Sequence, residues 1–269
     1  MTSISRLTRP FPASKAGFTA AALGLWLVLA VWAQLSEGLR DWLALPCWLL
    51  LLGLCWRSMN EQALVKRRVW LDQYLLPGGF VHRLLRGGLL LRLLNLPIAV
   101  FLSAYLLVKT LGMTWPVWSL LLASILIFAG CRFFFEYALR NQVQASRLAP
   151  LTRRLALVVT AVVLVISYCA ILIYTPQPLL IASELTDVLA NHRPALAENP
   201  SLLMMADQLV RGGELFGWWA LQNSLGSAGG GSLIALTGWG VLLLSGAAFL
   251  WTWCQVMLGL ASWLEQQRL

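Results

Sequence analysis

The chain has 269 residues, of which 59% are hydrophobic and 12% charged, with a net charge of +9 at neutral pH and a mean hydropathy of +0.74. A soluble domain of this length cannot bury so much apolar surface, because its core is limited by volume. A soluble globular protein is therefore excluded, and the chain belongs in a bilayer.

Residues 1–16 carry Arg6, Arg9 and Lys15, with prolines at Pro10 and Pro12. The apolar stretch 17–35 follows, close to the ~20 residues a helix needs to cross a hydrocarbon core of ~30 Å. It is long for the apolar part of a signal peptide, and Ala33-Gln34-Leu35 is a poor cleavage site, so it reads as a retained span. A shorter stretch, 42–56, reaches span length when extended to 39 with Arg40 and Asp41 at the interface. Further spans are expected at 88–108, 115–131, 155–174 and 233–257. The expectation is an all-α polytopic membrane protein of about six transmembrane helices, forming one domain over 1–269.

Basic residues alternate between loops. Arg57, Lys66, Arg67, Arg68, Arg83 and Arg86 follow the second span, and Arg132, Arg140, Arg147, Arg153 and Arg154 follow the fourth. Lys109 stands alone between spans three and four. The external segment 175–232 holds Glu184, Asp187, Glu198, Asp207 and Glu214 against Arg193 and Arg211. The positive-inside rule then places both termini in the cytoplasm and 175–232 outside. The positive charge is thus topogenic, aided by anionic lipid. Nucleic acid is not expected as a partner.

Residues 59–76 contain helix formers and no breaker. Leu64, Leu71 and Leu75 mark an apolar face, and Glu61, Lys66, Arg67 and Arg68 a charged one. This predicts an amphipathic cytoplasmic helix lying parallel to the membrane, either anchoring the bundle or meeting a partner. Pro77-Gly78-Gly79 ends it, and Arg83 and Arg86 lie on a second short stretch. In the next cytoplasmic loop, Arg132 and Glu136 share a helix face beside Phe133, Phe134, Phe135 and Tyr137, an aromatic belt in which structural use outweighs chemistry.

Within the spans, Arg92, Asn95 and Gln255 are the candidates for a substrate path. Interhelical hydrogen bonding explains the last two equally well, and Arg92 can snorkel to the headgroups. In the outer segment, 179–190 predicts one helix, 202–210 a second, and 214–225 a third after an interruption at Gly212-Gly213. Phe216, Trp218 and Trp219 are candidates for an external interface.

Catalytic chemistry has no support. The five cysteines lie in or beside spans without a Cys-x-x-Cys pair, and His82 and His192 fall outside the bundle, where neither can hold a haem. No metal ligand set, nucleophile elbow or phosphate-binding loop is present. No cofactor, metal or enzymatic activity is expected.

The order of these elements resembles the membrane subunit of ABC-2-type exporters. Such permeases have six spans with both ends inside, a coupling helix between spans two and three, and short outer helices between spans five and six. The resemblance is one of topology; it matches 59–76 to the coupling region and 179–225 to the outer helices. It implies a permease in the bacterial inner membrane, driven by a separate cytoplasmic ATPase subunit, with a homodimer as one arrangement. The alternative is a non-catalytic scaffold within a secretion or conjugation complex, favoured over an ion-coupled carrier by the lack of carboxylates within the spans.

Overall fold

The computed structural model describes residues 13–74, 89–175, 180, 184–192, 200–224 and 231–267. Among the described residues there are eight helices and no strand: α1 (Ala13–Gln34), α2 (Glu37–Tyr74), α3 (Leu89–Thr110), α4 (Trp115–Leu139), α5 (Ala145–Tyr174), α6 (Leu185–His192), α7 (Leu202–Ser224) and α8 (Gly231–Gln266). Six of them, α1 to α5 and α8, are long and apolar enough to cross a membrane. The chain is an all-α polytopic membrane protein. Six crossings bring the start of α1 and the end of α8 to one side, the terminal face.

α8 is the hub. It contacts α1, α2, α3, α5 and α7, while α4 pairs with α5 and α1, and α2 with α3. Every residue from Thr252 to Ser262 is buried, so this part of α8 has no lipid-facing side. Close approach makes that possible: a Cβ on Gly259 would stand 2.1 Å from the Leu54 carbonyl oxygen of α2. Such small residues let helix backbones touch where hydrophobic collapse supplies no drive between helices in lipid. The outer surface is the reverse of a soluble protein's, with Leu27, Leu93, Phe101, Ile166 and Ile173 all exposed.

Several helices run past the expected span ends. α2 holds 38 residues and α8 36, or about 57 and 54 Å of helix against a core of ~30 Å. α2 begins at Glu37 and continues through 59–74, so the expected membrane-parallel helix is a direct continuation of the second span. The physical reason is twofold: no breaker separates Trp56 from Tyr74, and side chains from Arg57 to Gln62 are fixed on α8 and α5. Residues 75–76, Pro77-Gly78-Gly79, Arg83 and Arg86 lie outside the described residues.

The outer segment also differs. α7 passes through Gly212-Gly213 without a break. Two glycines cost a helix interior about 1 kcal/mol each relative to alanine, but packing of α7 on α8 offsets this. A Cβ on Gly217 would meet Leu242 at 2.8 Å, and one on Gly238 would meet the Gly217 carbonyl oxygen at 2.7 Å. The helix expected over 179–190 is seen from Leu185 to His192. It packs on α7, with Val188 buried.

Candidate functional site

Polar side chains gather at the two ends of the bundle. At the terminal face, α2 turns Ser58 and Gln62 toward α8, where both donate to the Gln255 side-chain oxygen, at 2.6 and 2.9 Å. Asn95 of α3 donates to Asn60 of α2 at 3.1 Å. These bonds have a simple cause. An amide in a span has no water to satisfy it and must find a partner on a neighbouring helix.

Beside them lies an ionic network. Arg153 of α5 reaches Glu61 of α2 at 2.6 Å and Glu265 of α8 at 3.3 Å. Arg132 of α4 also pairs with Glu265, a partner on another helix. Arg57 donates to Ser262 at 3.2 Å and to Gln266. The Arg153 side chain is 8% exposed, so it is held by its two carboxylates rather than by water.

The opposite end carries a second network. Lys109, at the last turn of α3, pairs with Glu214 of α7. Glu214 accepts from Ser245 of α8 at 3.4 Å, and Ser245 shares a 2.6 Å hydrogen bond with the Tyr105 hydroxyl of α3. Arg211 of α7 pairs with Asp207 at 2.9 Å and covers Gly112 in the turn after α3. Gln222 and Asn223 bind the backbone of Leu180, at 2.7 and 2.8 Å. α7 is thus clasped over the bundle. An apolar cleft of about 430 Å³ remains between α5, α7 and α8, bordered by Trp218 and Trp239.

A larger cleft of about 1000 Å³ opens on the side of the bundle near the terminal face, between α1, α2, α3 and α8. Its floor and walls are apolar, and Arg57, Asn60, Glu61, Arg92 and Gln266 gather at its rim.

The sequence candidates therefore divide. Asn95 and Gln255 are bound between helices, whereas Arg92 is exposed at the large cleft, its carbonyl oxygen accepting from the Trp56 indole at 3.2 Å. Glu61 belongs to the ionic network. Lys66, Arg67 and Arg68 lie on the final turns of α2, with side chains outside the described residues. Phe216 stacks on Trp219 at 6.3 Å, and Phe216, Trp218 and Trp219 are all half-buried. Sequence reasoning missed Arg153, Glu265 and the Lys109–Glu214 pair. The available signal was scarcity: with only 11 acidic residues in the chain, a carboxylate beside a span is worth pairing with a cation.

Among the described residues, no three His, Cys, Asp or Glu side chains are grouped to hold a metal ion, and all five cysteines are free. No family model, curated protein or solved structure matches this chain.

Proposed function

We propose that this chain is the membrane-embedded permease subunit of an ABC-type exporter in the bacterial inner membrane, energised by a separate ATPase bound at the terminal face. The observation that carries this reading is α2. The second span continues as one helix to Tyr74, bearing Lys66-Arg67-Arg68, and its base is braced on α5 and α8 through Glu61 and Gln62. A partner pushing on such an extension would move α2 and the hub helix together. The substrate path would then run between two copies of the chain.

A second reading is favoured by a specific observation. Half-buried Asn95 and buried Gln255, two of the three polar residues that suggested a path, are engaged in bonds between helices. That supports a scaffold that transports nothing. One experiment separates the two. The protein is reconstituted in vesicles together with the P-loop ATPase that co-purifies with it. The permease reading expects ATP-dependent movement of substrate, lost when Lys66, Arg67 and Arg68 are all changed to Glu while insertion is kept. Co-purification of a complex without any ATPase, through the same three residues, would instead establish the scaffold.

A further inference from the structure

The large lateral cleft has the form of an amphipathic molecule. Along α2 its lining runs from Leu64 past the polar rim residues Glu61, Asn60 and Arg57 to Leu49, and the stretch from Asn60 inward to Leu49 is about 16 Å of helix. That is the depth of one leaflet, half of a ~30 Å hydrocarbon core. Its far wall is one face of α1, Ala21, Leu25 and Val28, at helical spacing. Between these walls stands Gly53, whose missing side chain gives the trough its width: a Cβ there would meet no atom within 4 Å.

Charge at the rim is unbalanced. Arg57 is bound to the neutral side chains of Ser262 and Gln266, and exposed Arg92 forms no ion pair with the described residues. Glu61, the one carboxylate at the rim among the described residues, is held by Arg153. Arg57 thus keeps an uncompensated charge while donating to two neutral groups, and exposed Arg92 offers its guanidinium at the rim. Arginine suits phosphate oxygens through its planar fork of donors. Trp56 and Trp263, both partly exposed, border the cleft where indoles favour the headgroup region.

We propose that this cleft is a binding site for one anionic glycerophospholipid of the terminal-side leaflet, its phosphate against Arg57 and Arg92 and one acyl chain along the α1–α2 trough. The proposal does not depend on whether the chain transports.

The test uses the full-length protein in mild detergent, with lipid retention read by native mass spectrometry. Phosphatidylglycerol and phosphatidylcholine of identical chains serve as probes, with inorganic phosphate as a control. One phosphatidylglycerol per chain should be retained, at least tenfold in excess of phosphatidylcholine. Gly53→Phe, which fills open space, should lower that retention at least tenfold, and Gly53→Leu should do so if the larger ring impairs folding. The double variant Arg57→Gln, Arg92→Gln should abolish the preference between the two lipids. Equal retention of both lipids by the parent protein would overturn the proposal, as would undiminished phosphatidylglycerol in the Gly53 variants. Stabilisation by inorganic phosphate equal to that by phosphatidylglycerol would mean a headgroup site without the acyl trough. Self-association blocked by Gly53→Phe would give the cleft to a second copy; both outcomes also overturn it.

Discussion

Gly259 of α8 and Leu54 of α2 approach so closely that a single methyl group on the glycine would stand 2.1 Å from the leucine carbonyl oxygen. The atom in the way is backbone, which cannot rotate aside. This contact sets the separation of the hub helix from the second span. It also fixes the register in which Ser58 and Gln62 meet Gln255.

Gly259→Ala should therefore destabilise the bundle by at least the ~1–3 kcal/mol typical of overpacking. Gly213→Ala, within α7, provides the contrast. A Cβ there meets nothing within 4 Å, and the helix should gain about 0.5–1 kcal/mol. Thermal unfolding in detergent measures both. A destabilised Gly213→Ala protein would indicate that α7 breaks at its glycine pair after all.

Arg153 joins α5 to both α2 and α8, and its two carboxylate partners are about 30% exposed. Removing one partner of a fully buried ion pair costs roughly 3–5 kcal/mol. Partial hydration of Glu61 and Glu265 reduces this, and Arg153→Gln should cost about 2 kcal/mol. A double-mutant cycle of Arg153→Gln with Glu61→Gln should give a coupling of about 1 kcal/mol. Additivity would show that the two side chains do not interact.

Lys109 and Glu214 clasp α7 to α3. Lys109→Glu should loosen α7 and raise hydrogen exchange over Leu202–Ser224 about tenfold, equivalent to ~1.4 kcal/mol. Exchanging the two residues, Lys109→Glu with Glu214→Lys, should restore most of the protection. Replacing Trp218 and Trp219 by alanine should loosen the same helix through lost burial of their rings, by on the order of 1 kcal/mol or more. Uniformly fast exchange in the parent protein would mean that α7 is not a stable cover.

The spans were readable because bilayer thickness imposes one length on every crossing, and apolar runs such as 233–257 carry that length in plain composition. Their extensions were not. Glu61 and Glu265 look like loop residues by hydropathy, yet lie inside helices because their partner Arg153 comes from elsewhere in the fold. Arg132 illustrates the limit: helical spacing can point to a neighbour four residues on, but not to Glu265, 133 positions away, with which Arg132 pairs. The Gly212-Gly213 pair misled for a related reason. Local propensity favours a break, and packing against Gly238 and Leu242 overrides it. The lateral cleft had no signature at all, since it depends on four helices meeting around the space beside Gly53.

The proposed topology puts the start of α1, the end of α8 and the extension of α2 in the cytoplasm and α7 outside. Its most direct test places topology reporters at Leu269 and beside Asn199. A cytoplasmic signal from Leu269 and an external signal from Asn199 are expected, whereas signals from the same side of the membrane at both positions would contradict the account.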